Sequence, residues 1–164
     1  MQLTRTILSI ALLLTPIVSG NPIPEGDAVT SVEGLFKRAT YTCPATNNGQ
    51  GRDYQEHKYT SNQVTAAVGA AKKILQKKGE NWKPGPQDYP HFFGNREQLP
   101  FDCGKDKAEY PLDTNGHTWS PGEPVNTLPD RVIFEYSWKK DKVTVKKCGV
   151  IRHGPGANFL NCPS

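Results

Sequence analysis

Within its 164 residues the chain has no Cys-x-x-Cys pair, no N-glycosylation sequon, no internal repeat and no low-complexity tract. Without Cys-x-x-Cys spacing the ligand pattern of a structural zinc site is missing, and neither a metal nor a cofactor is expected. Long apolar runs are scarce too. The one present, ILSIALLLTPIV after Arg5, is too short and wrongly flanked to span a membrane. Val18-Ser19-Gly20 supplies small residues at its end, so residues 1–20 read as a secretory signal and no membrane partner is expected. Residues 21–38, NPIPEGDAVTSVEGLFKR, read as a propeptide ending at the dibasic pair Lys37-Arg38. A mature domain over residues 39–164, secreted and monomeric, is the expectation.

What is present in that domain begins with four cysteines, Cys43, Cys103, Cys148 and Cys162. An even count in a secreted chain reads as two disulfides, for which sequence allows three pairings. A bridge from Cys43 to Cys162 would enclose most of the domain and be worth up to about 4 to 5 kcal/mol by loop entropy. The formal charge of +4 survives maturation, because Arg5, Lys37 and Arg38 balance Glu25, Asp27 and Glu33 in the removed segments. Such a charge is compatible with a polyanionic partner and equally with simple solubility.

One stretch, TSNQVTAAVGAAKKILQKKG, has helical periodicity: Val64, Val68, Ala71 and Leu75 recur on one face. Thr60 or Ser61 can cap its start and Gly79 its end. Lys72, Lys73, Lys77 and Lys78 are read as a solvated face with cations near the C-terminal end rather than as an RNA-binding stripe. Beyond the helix, RVIFEYSW and KVTVKKCGVI have the pattern of strands joined at Lys139-Lys140-Asp141, while EYPL and the region of DYPHFF suggest two shorter ones. The fold class expected is α+β: one helix on a twisted antiparallel sheet, stapled by disulfides, with long loops.

His91, Glu109, Arg131 and His153 each sit at or beside a strand signal. Singly, each has a bland reading as a surface or salt-bridge residue. Together on one sheet face they could cut a phosphodiester without a metal: a carboxylate and two imidazoles can divide the proton transfers, and a guanidinium can clamp phosphate oxygens. No activated serine or cysteine is apparent, and a ribose 2′-OH would serve as nucleophile instead.

Tyr89-Pro90-His91, Glu109-Tyr110-Pro111-Leu112, Asp130-Arg131-Val132-Ile133-Phe134 and Gly149-Val150-Ile151-x-His153, followed by Asn158-Phe159-x-x-Cys162, resemble in order and spacing the small secreted fungal guanyl-specific ribonucleases and their ribotoxin relatives. The resemblance covers Tyr41 to Cys162. It implies Glu109 as general base, His153 as general acid, His91 as assistant to the base, Tyr89 and Arg131 on the phosphate oxygens, and Phe159 as an apolar wall. It further implies single-stranded RNA as substrate, with Phe93 stacking on guanine, Glu97 accepting from its N1 and N2 donors, and backbone near Asn95 touching its other edge. Arg96 stands where the family has a second aromatic. The pairings implied are Cys43 with Cys162 and Cys103 with Cys148. The loop from His153 to Phe159 is two residues shorter than in common members, and strand alternation puts Arg152 on the face opposite His153.

Two rival readings share the scaffold. A non-catalytic, host-targeting effector would have no physical reason to keep two histidines and a base together. A ribotoxin would carry a long lysine-rich loop between His91 and Glu109, where this chain has only Arg96, Lys105 and Lys107.

Overall fold

The computed structural model describes residues 40–83 and 88–164. The proposed leader, the propeptide and its boundary at Ala39 lie outside the described residues. In chain order the elements are β1 Thr40–Cys43, β2 Thr46–Asn47, β3 Asp53–Tyr54, β4 His57–Thr60, α1 Ser61–Lys78, β5 His91–Phe92, β6 Lys107–Leu112, β7 Asp130–Lys139, β8 Lys142–His153 and β9 Phe159–Cys162. Strands β5 to β9 form one antiparallel sheet in sequence order, β1 pairs with β4, and β2 with β3. This is the α+β architecture read from the sequence.

The helix has both of the terminators read for it. Thr60 forms a capping box: its hydroxyl accepts from Gln63 N at 3.3 Å while its own N–H donates to Gln63 Oε1 at 2.8 Å. Gly79 adopts φ 85° and closes the helix with a bond to the Leu75 carbonyl. Lys72, Lys73, Lys77 and Lys78 are exposed. The opposite stripe, Val64, Ala67, Val68, Ala71 and Leu75, is buried against Ala108, Tyr110, Leu112, Val132, Phe134, Val143 and Val150 of the sheet.

The β7–β8 hairpin turns on Lys140 (φ 47°) and Asp141 (φ 59°), the left-handed pair that a tight two-residue turn requires. Asp141 tolerates that region better than Lys140 does, and the Gln76 side chain braces the turn by donating to Asp141 O at 2.6 Å and accepting from Val143 N at 3.0 Å.

In the β7–β8 ladder Ile133 faces Gly149 and Phe134 faces Lys147, so Cys148 is an extra residue, a β-bulge. Before the bulge Val143 and Val145 face the helix; after it Val150 and Arg152 do, and Gly149, Ile151 and His153 take the other face. Cys148 is bonded to Cys103, and Cys43 to Cys162, tying β1 to β9 across 119 residues.

A second, smaller core lies on the sheet face away from the helix. Phe93, Ile133 and Ile151 are buried there, with Leu99, Phe101 and Phe159 packed around them. Gly149 lets this layer pack closely, since a Cβ would fall 2.5 Å from the Phe101 ring and force it to shift.

Candidate active site

Register alone assembles the cleft. His91 pairs with Glu109 and Glu109 with Ile133, while Arg131 pairs with Ile151 and His153 with Phe159. Directly paired residues of an antiparallel sheet share a face. His91, Glu109, Arg131, His153 and Phe159 therefore project from five adjacent strands on the side away from the helix.

His91 Nδ1 lies 3.4 Å from Glu109 Oε1. Its other nitrogen, Nε2, is buried without a hydrogen-bond partner among the described residues. The His91 ring stacks on Tyr89 at 3.7 Å between centroids, and Tyr89 in turn meets Trp119 edge-on at 5.4 Å. Arg131 donates from Nε to the Tyr89 hydroxyl at 2.8 Å, and from Nη1 to the carbonyls of Leu128 and Asp130. The guanidinium is thus held in one orientation with its charge unpaired by any carboxylate among the described residues. His153 rests on Phe159 at 4.5 Å, and its backbone N–H is fixed to the Pro129 carbonyl.

Burial shifts two of these groups. The Tyr89 phenol is pushed up from its ordinary value by burial and by the charge of Glu109, with Arg131 opposing, so it stays a neutral donor. The His153 imidazole is pushed below its ordinary value, first by burial and then by the Arg131 charge, while Glu109 and Asp130 pull partly the other way. A lowered value makes the imidazolium a stronger acid.

Two cavities open beside these groups and share Ala157 and Phe159 as a common wall. One, of about 520 Å³, is bordered by Glu109 and the segment from His91 to Glu97. Within that segment the Asn95 side chain is spent on the loop itself, donating to Leu99 O and accepting from Leu99 N, both at 2.9 Å. Phe93 is buried at the floor, edge-on to Phe101 and Phe159, while Arg96 is exposed and Glu97 half-buried. The other cavity, of about 600 Å³, lies past His153 and Arg131 and is walled by Asn48, Gln50, Tyr54 and Asn126.

The family model for ribonuclease matches residues 46–162. The guanyl-specific ribonuclease T1 of Aspergillus oryzae is 31% identical over 106 residues, which cover 63% of this chain and 72% of that protein. The chain belongs to the microbial ribonuclease family. As a ribonuclease it acts on RNA, and the cleft just described is the place where the family's motif residues converge.

This ribonuclease also carries supporting residues whose role the motifs did not reveal. On the helix side, directly behind Arg131 and His153, their chain neighbours Asp130 and Arg152 pair across the strands. Arg152 Nε and Nη2 donate to the two Asp130 oxygens at 2.7 and 2.8 Å, Tyr59 donates to the same carboxylate at 2.7 Å, and Arg152 Nη1 reaches the carbonyls of Pro44 and Gln55. Those carbonyls stand at the base of the β2–β3 hairpin, whose tip accepts a hydrogen bond from Gly156 in the loop after His153. The fit there is close: a Cβ on Gly49, already at φ 72°, would lie 2.9 Å from Gly156 N. Arg152 thereby fastens the wall of the second cavity to the strand that ends in His153. A charged pair in the midst of apolar alternation, Asp130 before RVIF and Arg152 after GVI, was the available signal.

Proposed function

We propose that this ribonuclease is a secreted, guanyl-specific endoribonuclease that cuts single-stranded RNA on the 3′ side of guanosine without a metal. The observation that carries the reading is the convergence of Glu109, His91, Arg131 and His153 on one sheet face between two nucleoside-sized cavities. Glu109, assisted by His91, takes the proton of the ribose 2′-OH. The 2′ oxygen attacks phosphorus, and the bond to the 5′ oxygen breaks as His153 supplies that oxygen with a proton. Arg131, Tyr89 and His91 hold the non-bridging oxygens while negative charge accumulates on them. The products are a 2′,3′-cyclic phosphate and a free 5′-hydroxyl. Each proton and charge in this step has a side chain assigned to it, which is the ground for the metal-independent reading.

Guanine selection is assigned to Glu97, whose carboxylate borders the smaller cavity and can accept from two donors that adenine lacks. Phe93 supplies apolar floor, backbone near Asn95 reads the other edge, and Arg96 lays its guanidinium where a lid is needed. Secretion is supported by the apolar leader and by two disulfides. The test is to digest a mixed-sequence RNA in chelator and read the 3′ ends. Cyclic phosphates on guanosine are expected; activity that vanishes in chelator and returns with magnesium would overturn the mechanism.

A further inference from the structure

Cleavage chemistry gives a bound RNA a direction across the sheet. In the proposed reaction the 5′ oxygen departs beside His153, so the downstream nucleoside lies over the cavity bordered by His153, Gln50 and Tyr54. The recognised base sits in the other cavity, at the β5 edge. The nucleotide preceding it must then leave across that edge, because the β8–β9 side is taken by the downstream chain.

Phe92 stands at that edge. It is 57% exposed, the one large apolar side chain so exposed among the described residues. His91 and Phe93, its chain neighbours, turn into the cleft, and strand alternation turns Phe92 away from them. Gly94 lies alongside, where a Cβ would touch the ring at 3.6 Å. A single exposed phenylalanine on an ordinary surface carries no message. Here it borders a nucleoside-sized cavity in a protein whose substrate is a string of aromatic bases, and every base has a face that a phenyl ring can stack on.

We propose that Phe92 is the stacking platform for the base immediately 5′ of the guanosine, a subsite indifferent to which base occupies it. The proposal rests on the guanyl-specific reading above. It is tested by steady-state kinetics at the GpU step in GpU, in ApGpU and in an analogue of ApGpU lacking the first base, using the wild type, Phe92→Ala and Phe92→Trp. The wild type is expected to show a lower KM for ApGpU than for the other two substrates. Phe92→Ala should raise KM for ApGpU by roughly five- to a hundredfold, the worth of one stacked base, and by far more than it changes KM for GpU, without moving kcat. Phe92→Trp should preserve the advantage. A wild type that gains nothing from the upstream base, or a Phe92→Ala variant that loses equally on GpU and ApGpU, would overturn the subsite. Failure of guanine recognition is read separately, from equal wild-type rates on GpU and ApU.

Discussion

The two faces of the five-stranded sheet hold arginines buried to nearly the same degree, Arg152 at 0% and Arg131 at 5% exposure, and use them in opposite ways. On the helix side every nitrogen of Arg152 is engaged, and both oxygens of Asp130 are taken by Arg152 and Tyr59. On the cleft side Arg131 is oriented by neutral oxygens, and His91 Nε2 is buried with no partner among the described residues. Burial therefore does not distinguish a structural charge from one available for chemistry. Saturation separates these two arginines: the Asp130–Arg152–Tyr59 cluster has closed its valences, although His57 Nε2 beside Tyr59 is also buried unpartnered among the described residues, while Arg131 is left with no carboxylate partner there.

The sharpest way to break this contrast is to remove open-valence groups. Glu109→Ala and His153→Ala should each lower turnover by about two to four orders of magnitude, the usual worth of a positioned base or acid, with melting temperatures close to the wild type. Near-wild-type rates in both would mean the roles lie elsewhere. A closed-valence group should behave in reverse. Arg152→Ala strands the Asp130 charge in the core and should cost about 3 to 5 kcal/mol in chemical denaturation, while Arg152→Met with Asp130→Leu should recover much of the loss. If Arg152→Ala unfolds at the wild-type denaturant concentration, the buried pair is not the structural element described.

Smaller effects sharpen the comparison. Glu97→Ala should flatten the preference for GpN over ApN and leave slow, unselective cutting, because the groups acting on ribose and phosphate are untouched. An unchanged preference would overturn the proposed base-reading role of Glu97. The pH dependence comes last. If His153 is the general acid as proposed, its pKa, held below the ordinary imidazole value of about 6.5, should place the alkaline limb of kcat/KM below that pH. In stability the sign is opposite to that of a salt-bridged histidine. The unfolded chain binds this proton more tightly, so the contribution of His153 is complete above about pH 6.5 and is lost as pH falls toward the folded value. Melts of His153→Asn should lack that acid-side component.

Much of this was legible in the sequence, for reasons that differ by element. Helix α1 announced itself through 3.6-residue periodicity and two good terminators, and β7 and β8 through alternation. Strands β1 to β4 and β9 did not: they are two to four residues long, too short to display a period, and owe their existence to pairing partners far along the chain. Among site residues, His91, Glu109, Arg131 and His153 stood at strand signals, so their common face could be anticipated. Trp119 and the hairpin wall of Asn48, Gln50 and Tyr54 could not, because loops bring them to the cleft and no spacing rule governs that approach. The role of Arg152 was hidden for a related reason: alternation gave its face, but its acceptors at Pro44 and Gln55 are about a hundred residues away.

The bulge at Cys148 gives β8 two phases. Residues 142–147 keep step with the helix-facing side of the distal hairpin, and residues 149–153 keep step with the cleft; the extra residue between them absorbs the half-period. Such a joint makes the two halves of one strand separable in design. The hairpin beyond it can be lengthened or shortened in matched pairs of residues without rotating His153 out of the cleft, whereas deletion of the bulged residue, besides breaking the bridge to Cys103, would force a choice between burying Val143 and Val145 and presenting the His153 imidazole to the cleft.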